Sequence, residues 1–430
     1  MPTLLIKNGR IMDPANQRDE KGDLLVADGK IAEIGKTIRT QADEVIDAAG
    51  KVVVPGFVDM HVHLREPGRE DKESIASGTR AAAAGGFTSV CPMPNTDPVC
   101  DTAQGLQFLR SRARENAVVN VFPIAAVTKG QKGENITEFG DLVYYGAVAF
   151  SDDGHSIMNA EIMRRALEYT SMFNVPILDH CEDINLSEGG QMRSGHMAMK
   201  LGLKGIPRAA NSCQVARDMD LAHYTGGRVH ICHVSVREEL DYIATAKAKG
   251  VKVTCEVTPH HLTLTDNCLE TYDTNFKMSP PLGPEDDRLA LIEGLRNGTI
   301  DCIVTDHAPH TDMEKDRVMS EAPFGVIGLE SAFPVLYTDL VLKKEIGLAA
   351  LIEKMTVAPA RILRVPKGTL AIGEDADIAI LDLDTEFTLD VTKFFSRSRN
   401  CPFAGRKLRG RAWATVVGGR VVFRDGQMLL

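Results

Sequence analysis

Residues 56–64 read GFVDMHVHL, an apolar, β-branched string carrying two histidines two positions apart. Alternate side chains of a strand share a face, so His61 and His63 point the same way. Seven strings of the same character follow: FTSVCPMP (87–94), VNVFPIAAV (119–127), GAVAFSD (146–152), VPILDHC (175–181), RVHICHV (228–234), VKVTCEV (251–257) and DCIVTDH (301–307). Helical stretches separate them. PEDDRLALIEGLRN (284–297) opens on proline, carries acids in its first turn and is followed by Gly298, which suits both caps and the helix dipole. REELDYIATAKAK (237–249) places Leu240, Ile243, Ala244 and Ala246 near helical spacing and stops at Gly250. Eight strand–helix units predict an α/β fold, a (β/α)8 TIM barrel whose functional groups stand at the C-terminal ends of its strands.

Outside that run the rhythm changes. The first 55 residues alternate short apolar strings with Asn-Gly, Asp-Gly and Ala-Gly turns, and the last 60 return to the style with DADIAILDLD and RAWATVVGGRVVFRDGQ. Asn-Gly and Asp-Gly favour tight antiparallel hairpins. Both ends therefore predict one small, discontinuous, sandwich-like β domain (1–55 and 366–430) beside a catalytic barrel at 56–365. Two long connections, 182–206 and 311–328, fall on the barrel's mouth, where lids and specificity elements are found.

Composition narrows the function classes. The 430 residues hold 49 Lys plus Arg against 59 Asp plus Glu, a formal balance of −10, which argues against nucleic acid or an anionic membrane as the main partner. No apolar run approaches the length of a membrane span, and the N-terminus lacks a signal-peptide core. Nine scattered cysteines without a C-x-x-C pair read as reduced thiols of a cytoplasmic protein. All twelve histidines fall between residues 61 and 310, which confines imidazole chemistry to the barrel.

Four histidines and two carboxylates converge on strand ends. His61 and His63 belong to the first string, Asp153 follows the fourth, His180 ends the fifth, His233 ends the sixth and Asp306 ends the eighth. Each alone has an ordinary explanation, such as a packed core histidine or a helix-capping aspartate. Six accidents on one ring do not. Imidazole with carboxylate is the ligand set for Zn²⁺ or another divalent first-row metal, and six groups suit a two-metal site or one metal with supporting donors. His230 lies an odd number of residues before His233 and is read as packing; His260 and His261 are read as supporting donors. Arg65, two residues beyond His63, can offer a bidentate clamp to a carboxylate.

PGFVDMHVHLREPG (55–68), AFSDDG (149–154), DHCED (179–183), HVS (233–235), EVTPHH (256–261) and TDHAPH (305–310) resemble the amidohydrolase superfamily, and within it the bacterial class I dihydroorotases. The resemblance runs in order along nearly the whole chain. It implies reversible, zinc-dependent cyclisation of N-carbamoyl-L-aspartate to L-dihydroorotate in pyrimidine synthesis, with one or two zinc ions per subunit. His61 and His63 would bind one metal, His180 and His233 the other, and Asp153 would bridge them. Asp306 would be both ligand and proton shuttle. His63, Leu64, Arg65, Asn95, Ser279, His310, Phe324 and Gly325 would surround the substrate. The resemblance also implies a homodimer and admits assembly with aspartate carbamoyltransferase, or a silent chain that only partners it. The alternative activity is that of a hydantoinase or allantoinase; many such relatives carry a carboxylated lysine after the fourth strand, where this chain reads FSDDG. Many relatives also read N-P-P-L-R where this chain has Ser279-Pro-Pro-Leu-Gly283.

Overall fold

The computed structural model describes residues 2–429. Each of the eight apolar strings contains a short parallel strand: Phe57–Val62, Phe87–Pro92, the split third strand Asn120–Val121 and Ile124–Ala125, Ala149–Phe150, Ile177–Asp179, Val229–Ile231, Val253–Val257 and Cys302–Ile303. The third strand is broken at Pro123, which has no N–H to give to a ladder; its carbonyl still accepts from Val148 at 3.1 Å. The ring closes where His63 N–H donates to the His307 carbonyl at 2.9 Å and Val62 pairs in parallel with His307. A buried apolar cluster takes Met60, Cys91, Ile124, Ala149, Leu178 and Cys302 from six of the strands and Cys232 from just past the sixth, with Ile362 and Leu363 packed against them. The barrel is thus filled by side chains rather than hollow.

The outward faces of the strands pack against the helices. Helix Ile75–Ala84 starts at a Ser74–Ser77 capping box, and Glu285–Asn297 ends at Gly298 with φ +83°, as its sequence predicts. Phe57, Phe87 and Phe333 meet beneath this layer, with ring centroids 5.5 and 5.6 Å from Phe57. Burial of each such side chain contributes about 1.5–3 kcal/mol.

Strands from both ends of the chain make one continuous nine-stranded sheet. Its order runs from Gln427–Met428 through Arg420–Arg424, Lys407–Val417, Ile378–Thr388, Val52–Pro55, Leu4–Asp13 and Arg18–Ala27 to Lys30–Gly35, with Glu44–Asp47 beside Leu4–Asp13. Most neighbours are antiparallel, but Leu4–Asp13 pairs in parallel with both Glu44–Asp47 and Val52–Pro55. Its core mixes Leu4, Ile6 and Val26 with Ile378, Ile380 and Val416. All nine cysteines are free thiols. No helix among the described residues is long and apolar enough to cross a membrane.

Both long connections carry structure. Segment 182–206 holds helices Ile184–Ser187 and His196–Leu201 and the pair Met192–Arg193 with Gly205–Ile206. It places Arg193, fully buried, against Asn211 Oδ1 (2.7 Å), Ser235 Oγ (2.9 Å) and the Pro281 carbonyl (3.3 Å).

Candidate active site

The six expected ligands meet at the mouth of the barrel. His61, His63 and Asp306 form one group of converging donor atoms, and Asp153, His180 and His233 form a second. Asp153 reaches both: its Oδ1 lies 3.3 Å from His61 Nε2, 3.6 Å from His180 Nδ1 and 3.7 Å from His233 Nε2, and its Oδ2 lies 3.4 Å from His63 Nε2. Asp306 Oδ1 stands 3.1 Å from His63 Nε2 and 3.5 Å from His61 Nε2.

Strand alternation alone does not explain this convergence. The first strand is bulged between Asp59 and Val62, the sixth ends at Ile231 and the eighth at Ile303. His233 (φ +34°), Asp306 (φ +46°) and Arg65 (φ +59°) lie past the strand ends on left-handed backbone. Such conformations are strained for residues with a Cβ and cluster at functional sites. They correct the reading of His230 as packing. Periodicity does not extend to His233, so both histidines turn inward. His230 Nε2 meets Glu256 Oε2 at 3.0 Å, and Glu256 Oε1 meets His61 Nδ1 at 2.6 Å. Thr254 Oγ1 holds the other nitrogen of His230 at 2.8 Å.

Carboxylates thus orient the ligand rings. Glu256 occupies His61 Nδ1 and leaves Nε2 directed at the cup. Glu182 Oε2 takes His180 Nε2 at 3.1 Å and leaves Nδ1 directed there. Asn95 Oδ1 does the same for His63, at 2.9 Å from Nδ1. Such partners fix the tautomer and raise the basicity of a ligating imidazole. Glu256 and Glu182 escaped the sequence reading. An acid inside an otherwise apolar barrel strand was the available signal for Glu256; for Glu182 there was only adjacency to His180.

The residues fit a divalent cation. His61 Nε2 and Asp153 Oδ1 are fully buried and have no hydrogen-bond partner among the described residues. Burial opposes charge on His61, but Asp153, Glu256 and Asp306 hold its imidazolium well above the ordinary range. His180, likewise desolvated, is raised to about 10 by Asp153 and Glu182. The cup therefore has a negative potential that attracts positive charge. Burial also works against ionisation of Asp306, yet His61 and His63 keep its carboxyl below the usual range, so it stands as a charged base.

A cavity of about 490 Å³ opens directly over the cup. His63, Arg65, Asn95, Ser279, His310, Phe324 and Gly325 all line it, as do Glu182 and His155. Leu64 does not: its side chain is 2% exposed and packs in the core facing helix Ile75–Ala84. Arg65 Nε donates to the Pro309 carbonyl at 3.2 Å, and the guanidinium has no carboxylate ion pair among the described residues. The nearby acids are engaged elsewhere: Glu66 is held by Arg112 at 2.8 Å, and Glu70 accepts from Gly68 N–H. Burial lowers Arg65 to about 10 against the pull of Asp306 and Asp153. It stays cationic at neutral pH. His310 is neutral, pushed to about 2 by burial and by the nearby Arg65, Lys72 and Lys315. Its Nε2–H donates to the Phe324 carbonyl at 2.8 Å while Nδ1 accepts from Lys72 Nζ at 3.1 Å. Ser279 Oγ donates to Glu182 at 3.1 Å. His261 supports the same segment through the Pro280 carbonyl at 2.9 Å; His260, also buried, is lowered to about 4 by desolvation. His196 and His223 lie exposed, away from the cavity.

A strand-end cup of four imidazoles and two carboxylates beneath such a cavity defines a metal-dependent amidohydrolase barrel. Comparison with known proteins narrows the class. Residues 50–239 match the family described as dihydro-orotase-like, and residues 296–423 match the amidohydrolase family. The dihydroorotase of Pelotomaculum thermopropionicum is 53% identical over 98% of this chain and 99% of its own. That of Acetivibrio thermocellus is 48% identical over 99% of this chain and 100% of its own. The chain belongs to the dihydroorotase family of amidohydrolases. Among solved structures, L-hydantoinase (dihydropyrimidinase) from Arthrobacter aurescens superposes with a TM-score of 0.91 at 27% identity, covering 100% of this chain and 98% of that one. Dihydropyrimidinase from Brevibacillus agri gives 0.88 at 23% over 99% and 96%, a likeness of fold alone.

Proposed function

We propose that this chain is a dihydroorotase, interconverting N-carbamoyl-L-aspartate and L-dihydroorotate. The observation that carries the reading is Arg65: a guanidinium without a carboxylate partner among the described residues, facing a cavity over a cup that could hold metal. Dihydroorotate is a cyclic amide bearing a carboxylate, so its two ends match the two ends of the cavity. His61, His63, Asp153, His180, His233 and Asp306 would hold one or two divalent ions, and zinc suits a set of nitrogen and oxygen donors. When bound, such ions polarise an amide carbonyl and lower the pKa of water.

The chain's own residues supply the rest. Arg65 binds the substrate carboxylate through charge-assisted hydrogen bonds. Asn95 and the Phe324–Gly325 wall confine the ring. In hydrolysis the Asp306 carboxylate accepts the proton released as water adds to the ring carbonyl. It then returns that proton to the departing ring nitrogen. In cyclisation the same carboxyl group runs the transfers in reverse.

A hydantoinase-like activity is the second reading, favoured by the close superposition on L-hydantoinase from Arthrobacter aurescens. The absence of lysine from Phe150-Ser151-Asp152-Asp153 and the carboxylate-seeking Arg65 weigh against it. The test is turnover by the metal-loaded protein of dihydroorotate, hydantoin and allantoin side by side, with metal analysis. Ring opening of dihydroorotate, read as loss of ultraviolet absorbance, is the expected result. Turnover of hydantoin or allantoin alone overturns it. A cytoplasmic homodimer, and assembly with an aspartate carbamoyltransferase, follow from the resemblance; sizing with and without the transferase tests both assemblies.

A further inference from the structure

Segment 311–328 contributes Phe324 and Gly325 to the cavity. Met313 (82%) and Val318 (64%) on the segment are exposed, while Met319 (4%) packs with Met192, Met197 and Leu269. Polar anchorage is added by two buried lysines, Lys315 of the segment itself and Lys277. Lys315 is 5% exposed, and its Nζ donates to the carbonyls of Lys277 (3.2 Å), Pro323 (3.1 Å) and Gly325 (3.0 Å). Lys277 is 3% exposed, and its Nζ donates to Gln191 Oε1 (2.7 Å) and to the carbonyls of Met319 (2.5 Å) and Ala322 (2.6 Å). Neither ammonium forms an ion pair with a carboxylate among the described residues. Each instead meets its three N–H donors with three oxygens; five of the six are backbone carbonyls and the sixth is Gln191 Oε1.

A third group holds the same wall and shares the Gly325 carbonyl with Lys315. Asn400 is 2% exposed; its Nδ2 donates to the carbonyls of Ala308 and Gly325, both at 3.1 Å, and its Oδ1 accepts from His310 N–H at 3.3 Å. Gly325 N–H in turn donates to the Lys277 carbonyl at 3.0 Å. Gly325 has φ +133°, and a Cβ there would stand 2.9 Å from His310 Nε2, so this wall is gripped at a position only glycine accommodates.

We infer that Lys277, Lys315 and Asn400 are positioning residues that clamp the Phe324–Gly325 wall against the cavity and so set the affinity for substrate. They act through the wall and touch neither the metal cup nor the reacting atoms. Buried lysines caging carbonyls are unusual as mere packing, because an apolar side chain with a remodelled loop avoids desolvating a charge. Here the cages hold 319–325, the stretch that ends in the cavity-lining Phe324 and Gly325.

The inference rests on the dihydroorotase reading, and its test has one arm that does not. In the apo full-length protein, Lys315→Met is expected to speed tryptic cleavage after the exposed Arg317 at least tenfold. In the metal-loaded protein it is expected to raise KM for dihydroorotate at least tenfold while kcat stays within about threefold. Asn400→Ala, which removes the other side-chain donor to the same Gly325 carbonyl, is expected to move both readouts in the same direction. It carries the test if Lys315→Met does not fold. Unchanged cleavage and unchanged KM in a folded variant overturn the clamp. So does a fall in kcat with loss of bound metal and no change in KM, which is what a general structural defect produces. A wild-type protein that does not turn over dihydroorotate overturns the functional reading and leaves the cleavage arm to judge the clamp.

Discussion

The cup and the wall of the same cavity are built by opposite means. The cup stands on eight parallel strands, and three of its four imidazoles are oriented by carboxylates and an amide, Glu256 on His61, Glu182 on His180 and Asn95 on His63. The wall stands on loops and is tied by side-chain donors to backbone carbonyls, as with Lys315 on Gly325. A cup made this way fixes reacting groups to a fraction of an ångström, as proton transfer requires. A wall made this way fixes shape and can vary without disturbing the ligands. The contrast predicts that damage to the cup appears in kcat and metal affinity, whereas damage to the cavity's recognition side appears in KM.

The largest effect is expected at Asp306. Asp306→Asn keeps an oxygen ligand but removes the base. General acid–base catalysis contributes about 10²–10⁴-fold, so kcat should fall by about 10³ with metal content largely retained. Stopped assays of dihydroorotate ring opening beside metal analysis read this directly; near wild-type kcat breaks the assignment of the shuttle. Arg65→Met comes next. Loss of a hydrogen bond to a charged group costs about 1.5–3 kcal/mol, or roughly 10–100-fold in KM. An unchanged KM would remove Arg65 from recognition and leave the carboxylate-binding end of the cavity unassigned.

How much of this was legible in the sequence follows the same division. The apolar strings foretell all eight barrel strands, and the strand-end rule brings His61, His63, Asp153, His180, His233 and Asp306 together, because period and topology together place a strand's last residues. The rule does not describe how they turn inward. His233, Asp306 and Arg65 reach the cavity through positive φ after the strands have ended, and this is why alternation misassigned His230. Glu256 was hidden for another reason: its partners, His61 and His230, come from other strands. The wall was invisible. Nothing local in Lys277 or Lys315 distinguishes a caged ammonium from a solvated one, since the cage is made of carbonyls that any sequence possesses. Asn400 sits far along the chain, in a stretch assigned by sequence to the terminal β domain, yet it holds the mouth of the barrel.

Glu256→Gln sharpens the account of the cup. The amide oxygen can still accept from His61 Nδ1, but its NH₂ then faces His230 Nε2 and forces that ring into the other tautomer. Outer-layer substitutions of this kind typically cost 10–100-fold in metal affinity, and the retained acceptor places this one near the lower end, about tenfold. Competition with a chelator measures it. Unaltered affinity would mean that the His61 ring is held by packing alone.

Leu64→Ala is expected to change the site least, and it separates neighbours in sequence that belong to different parts of the molecule. Leu64 lies between His63 and Arg65, both of which line the cavity, yet it is 2% exposed and its Cδ2 sits close over Gly78 of helix Ile75–Ala84. Truncating a buried leucine costs about 2–5 kcal/mol through lost transfer energy and the void left behind. The variant should therefore unfold at markedly lower denaturant concentration while KM for dihydroorotate stays within about twofold of wild type. The reverse outcome, intact stability with a raised KM, would place this side chain at the substrate. It would also show that recognition at this end of the cavity extends beyond the guanidinium into the core of the first strand–helix unit.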